Sequence, residues 1–212
     1  MVRSFRFALI AVALLILAEA ATSLVATPVE AIPLPPVESL RVLGWTPGQV
    51  QVNSQAPSVR RFIQDYTSTM GQSAQIETRC SSDPKDFLKL TGMLGPEGAG
   101  YELLHSSTVG FSVPLSPSDR AHTMNALASV AVMHDASQKI VVLYAYLDHW
   151  GIHAWSNALY PRAIVDLVTR HRPPYCSLGV TIFNVVQEQR AVAEARGIAQ
   201  TFLPVVDQRV RD

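Results

Sequence analysis

The chain has 212 residues, 48% of them apolar, with 17 basic and 17 acidic side chains and no formal net charge. No run of Lys/Arg interleaves with aromatics, so neither nucleic acid nor an anionic membrane surface is expected as a partner, because both are bound through a concentrated positive face. The length is enough for one domain with a sizeable core.

In chain order, Arg3 and Arg6 are followed by twelve apolar residues from Phe7 to Ala18. That is too few to cross ~30 Å of hydrocarbon, which takes about 20 residues in a helix. A positive start, a short apolar middle and the triplet Ala18-Glu19-Ala20 are the parts of a secretory signal peptide over residues 1–20, with Val29-Glu30-Ala31 as a second cleavage point. The alternative is an uncleaved anchor lengthened by residues 20–26, the sole membrane contact expected. Either way the bulk of the chain is expected outside the cytoplasm, periplasmic or extracellular. Residues 21–55, with prolines at 28, 33, 35, 36 and 47, read as an extended Pro-rich arm; within it, 37–45 is apolar enough to lie along the body as an edge strand or packed arm.

Residues 56–206 read as one α/β domain, and 207–212 as a tail. Val59, Phe62, Ile63, Tyr66 and Met70 fall at helical spacing and predict a helix over 57–70. Residues 75–80 alternate as a short strand. Ser82-Asp83-Pro84 predicts a helix to about Leu90, and the Gly-rich 91–100 a loop. A strand is expected at 108–115. Ser116-Pro117-Ser118-Asp119 and the stripe Ala121, Met124, Leu127, Ala128 and Ala131 predict a helix ending near His134. KIVVLYAYL at 139–147 and GVTIFNVV at 179–186 read as central strands covered on both faces. A helix from Pro161 to Pro173 is expected to join them as parallel neighbours, and Glu188 to Leu203 as the last helix. The expected fold is therefore α/β, a layered mixed sheet with central strands at about 139–147 and 178–186 and flanking helices.

Cys80 and Cys176 belong to neither a CxxC pair nor a Cys/His cluster. In an oxidising compartment they are expected to pair, closing a loop for which chain entropy gives about 4–5 kcal/mol as an upper figure.

The richest stretch is Ala145 to Tyr160, AYLDHWGIHAWSNALY, with Asp148, His149, His153 and Ser156 as candidate catalytic groups and Trp150 and Trp155 as candidate binding groups. At the carboxyl end of a parallel central strand this would be the customary place for a ligand. A metal reading needs a third ligand besides His149 and His153, from His122, His134, Asp135 or His171. A Ser156/His149/Asp135 triad is a second chemical reading, without support from any GxSxG elbow, HExxH or P-loop pattern. The structural reading takes the two tryptophans as anchors closing the core, with wet histidines at the rim. The expectation is a non-enzymatic, exported bacterial envelope protein that binds a partner protein or a ligand, as a subunit of an envelope assembly or alone, with no metal and no cofactor. The alternative is a periplasmic or secreted hydrolase, or a metal or small-ligand carrier, acting through the 148–156 rim.

Overall fold

Alternation of side chains, rather than helical spacing, governs most of the described residues. The computed structural model describes residues 42–56, 59–81, 87, 100–115, 121–159, 161, 162, 165 and 174–211. The expected signal peptide, the arm up to residue 41, the loop 91–99, the helix signal at 116–119, His171, and most of the helices expected at 82–90 and after Pro161 lie outside the described residues.

The strands are β1 (Trp45–Ala56), β2 (Val59–Ser68), β3 (Ser73–Ser81), β4 (Glu102–Pro114), β5 (Thr123–His134), β6 (Lys139–Asp148), β7 (Gly151–His153) and β8 (Tyr175–Ile182); α1 (Glu188–Arg211) follows. They form one sheet in the order β1-β2-β3-β8-β6-β5-β4, with β7 paired to β6. Every pairing is antiparallel. The expected layered α/β architecture is thus corrected to an antiparallel sheet with one long C-terminal helix. The two expected central strands are neighbours, but antiparallel ones: Leu143 faces Val180 and Leu147 faces Cys176. Residues 45–55, read from the sequence as the end of the arm, belong to the edge strand β1. Residues 207–211, read as tail, continue α1.

Two helices expected from the sequence are strands, and burial shows why. In β5, Ala126, Ala128, Val130 and Val132 are buried at a period of two in the core shared with α1, so of the stripe that suggested a helix Met124 and Ala128 face that core while Leu127 and Ala131 face the other way. In β2, Tyr66 packs edge-on against Phe202 of α1 with ring centroids 6.0 Å apart. Ile63 is buried too, one step out of that alternation and so on the opposite face. Burial on both faces of a strand erases its period-two signal and leaves a pattern that mimics a helix.

β6 and β8 owe their nearly unbroken apolar text to the same cause. Val141, Leu143, Ala145 and Leu147, with Cys176, Leu178, Val180 and Ile182, join the core shared with Ala195, Ile198, Ala199, Phe202 and Leu203 of α1. Ile140 and Val142 pack with Met133 on the opposite face, and Tyr146 and Tyr175 pack there with Phe87 and Leu159. Gly179 lets this second layer approach, since a Cβ there would stand 3.1 Å from Cε1 of Tyr144. Further along that face Glu77 takes a two-pronged bond from Arg61 and a second guanidinium from Arg79.

Cys80 and Cys176 are directly opposite each other on β3 and β8 and are joined as a disulfide, with Cα atoms 4.1 Å apart. The pairing expected from the sequence is present. Among the described residues no helix is long and apolar enough to cross a membrane.

Candidate functional site

At the end of β6 the chain reverses through His149 and Trp150 into β7, placing Asp148 opposite Gly151, Leu147 opposite Ile152 and Tyr146 opposite His153. The turn is built by Asp148, whose Oδ1 accepts the backbone N–H of Trp150 at 2.8 Å and of Gly151 at 3.0 Å. This is the local bond that makes aspartate a turn former. Gly151 has φ +147°, which a side chain would strain.

Asp148 is wholly buried, and a buried carboxylate must be paired. His153 Nε2 lies 3.1 Å from its Oδ1. Nη1 of Arg162 donates to Oδ1 at 3.2 Å and Oδ2 at 3.3 Å, and also stands within hydrogen-bonding distance of His153 Nε2. Burial pushes the Asp148 carboxyl up, but the bond and charge of His153, the Trp150 N–H and the Arg162 charge outweigh it and hold the group below the ordinary carboxylate range. Asp207 of α1 is buried as well, and its partner Arg211 donates from Nε at 2.7 Å. There burial wins over the arginine, the charge of Asp148 adds to it, and the carboxyl is raised.

The other candidates do not converge on Asp148. The His149 ring lies against Trp150 at 4.8 Å between centroids. Ser156, at the start of a single 3-10 turn to Ala158, is hydrogen-bonded to the side chain of Tyr146, whose phenol is pushed up by burial against the pull of Ser156 and of the Arg79 charge. Asp135 caps the β5–β6 turn through Ser137 and Gln138. It is separated from His149 by the whole of β6, about 30 Å, so the Ser156/His149/Asp135 triad does not assemble. His134 ends a strand rather than a helix and lies at that same remote turn. Among the described residues no group of three or more His, Cys, Asp or Glu side chains is placed to hold a metal.

Trp150 and Trp155 do not close the core: they are 57% and 52% exposed. The argument that ligands collect at this strand end also lapses, because it belongs to parallel sheets and β6 has antiparallel neighbours on both sides. Arg162 is the member of the cluster that sequence reasoning missed. A signal existed: an Asp ending an apolar strand needs a cation, and the next Lys or Arg in the chain is Arg162.

Chemically, Asp148 accepts two backbone N–H groups and the Arg162 guanidinium and has no exposed surface at which a substrate could meet it, so its role is to hold the turn. The cluster pins a hairpin whose turn presents the Trp150 indole to water, and Trp155, just beyond β7, presents a second. Comparison with known proteins adds no relative, since no family model, no curated protein and no solved structure matches this chain.

Proposed function

We propose that this is an exported, non-enzymatic envelope protein of a bacterium that docks a partner protein or ligand at the β6–β7 turn and the segment just after β7, through Trp150 and Trp155. One observation carries the reading: two tryptophans, each more than half exposed, flank the short strand β7, Trp150 on a turn whose backbone is fixed from below by a buried carboxylate and Trp155 just before the 3-10 turn that follows. Each indole leaves on the order of 100 Å² in contact with water, and covering it yields about 2.5 kcal/mol. Rigid aromatic side chains are also the residues on which binding energy concentrates. Export is supported by the Cys80–Cys176 disulfide, which fits an oxidising compartment, together with the leader-like N-terminus.

The test is photo-crosslinking in cells that make the protein naturally, with the reactive side chain installed at position 150 or 155 and, as control, at Val186, which is also exposed. A discrete adduct at 150 and 155, absent at 186 and lost when the other tryptophan is changed to alanine, is the expected result. Equal labelling at all three positions would sink the proposal.

A further inference from the structure

We infer that His153 is a proton-operated selector: it decides whether Asp148 is held by Arg162 or by the imidazolium, and thereby how firmly the turn carrying Trp155 is tethered. As a control on docking, this rests on the reading of the hairpin as a binding face.

The geometry allows two arrangements that differ by one proton. His153 Nε2 is within reach of Asp148 Oδ1, which only accepts, and of Arg162 Nη1, which only donates. One ring nitrogen cannot donate to the first and accept from the second. With the ring neutral and its proton on Nδ1, the Nε2 lone pair takes an Arg162 N–H, and the same guanidinium bonds both oxygens of Asp148. When the ring takes a proton from solvent at Nε2, that N–H points at Asp148 and meets Arg162 donor to donor. Two cations then compete for one carboxylate.

Which cation leaves is set by access. Asp148 is wholly buried and His153 is 14% exposed, whereas the Arg162 side chain is 35% exposed and has a path to water. The guanidinium therefore moves out, and Asp148 stays ionised, held by the imidazolium and two backbone N–H groups. Arg162 lies shortly after the 3-10 turn at Ser156–Ala158, whose N–H of Ala158 bonds the Trp155 carbonyl at 3.1 Å. Releasing the arginine removes the charged tether of that segment to the end of β6 and leaves the Ser156–Tyr146 bond and the packing of Leu159 to hold it. Trp150 keeps its tether in both states, because its N–H is held by Asp148 directly.

Other titratable and charged groups face the cluster. Tyr146, in register with His153, has its phenol pushed up by burial, out of reach of mild acid. The charge of Arg79 reaches it from β3. From α1, Asp207, bonded by Arg211, has its carboxyl raised by burial and by the Asp148 charge, so the Trp155 transition must also persist in Asp207→Asn. His149 stacks on Trp150 and needs its own control.

The experiment is NMR of the full chain from roughly pH 8 to pH 5, the window in which imidazoles titrate, following the His153 ring, the Arg162 side chain and each indole N–H. The expected result is a Trp155 shift that tracks the His153 curve, persists in His149→Gln and vanishes in His153→Gln. In Arg162→Gln the ring still titrates while Trp155 stays still. A Trp155 signal that ignores the titration of His153, or one that keeps its transition in His153→Gln, overturns the inference. Crosslinking at position 155 at the two ends of the window separates it from the docking reading. Equal adducts at both ends refute control of docking. No adduct at either end, with the Trp155 transition intact, refutes docking and supports the selector alone.

Discussion

Asp148 has no route to water, so its charge is balanced inside the fold, and the consequences can be read as a function of pH. Its folded carboxyl is held below the ordinary range, so the stabilisation it contributes is present above the unfolded value of ~3.9 and is lost as the pH falls through the folded value. Asp207 is shifted the other way, so its contribution is present at low pH and is lost as the pH rises through its raised folded value. Asp148→Asn is expected to cost about 2–4 kcal/mol in urea unfolding at neutral pH, less than for a fully buried pair because Arg162 is partly solvated. That cost should shrink towards pH 3, whereas Asp207→Asn should gain on the wild type as the pH rises. Trp150→Ala should cost under ~1 kcal/mol, against ~3–5 kcal/mol for a core tryptophan. A loss in the larger range would mean that the indole is an anchor after all, and would remove the basis for docking.

Among the elements, β8 holds the middle of the sheet between β3 and β6 although it comes last of the strands in the chain, so its pairing closes the longest loops. The disulfide ties this late strand to β3 across a separation of 96 residues. Replacing Cys80 and Cys176 together by alanine is expected to remove up to about 4–5 kcal/mol, measured as a lower urea midpoint. Mass spectrometry after alkylation without reductant should find no free thiol in protein taken from its own compartment; two labelled thiols would contradict both the bond and the export reading. Gly179→Ala tests the second layer over the sheet. Its methyl must push the Tyr144 ring away, and a loss of about 1–3 kcal/mol is expected.

At the scale of the whole molecule, the described core begins at Val42, which is buried in the cluster beneath α1. A chain starting at Val42 is therefore expected to unfold cooperatively with nearly the full-length urea midpoint. A chain starting at residue 57 lacks β1 and exposes the edge of β2, and it should be less stable and prone to self-association. Coincident loss of cooperativity in both would show that the N-terminal 41 residues are integral to the fold.

The sequence by itself determined what depends on local pattern and on chemistry that does not need a partner. The strands at 73–81, 102–114, 139–148 and 175–182 were legible in whole or in part from β-branched and aromatic runs, the last helix from its stripe, and the disulfide from there being only two cysteines. In the candidate site it marked Asp148 and His153 but neither Arg162 nor the solvent exposure of the tryptophans. Tertiary structure alone decided the rest. Phe62, Ile63 and Tyr66 have the spacing of a helix face, and only the placement of β2 between β1 and β3, with one side under α1, turns them into a strand buried on both sides. Whether β6 and β8 run parallel depends on where the intervening chain crosses, and no residue within either strand encodes that. The indoles of Trp150 and Trp155 are large enough to be core or contact, and for Trp150 the choice was made by the direction of a two-residue turn, which a carboxylate and a glycine set without reference to the tryptophan itself.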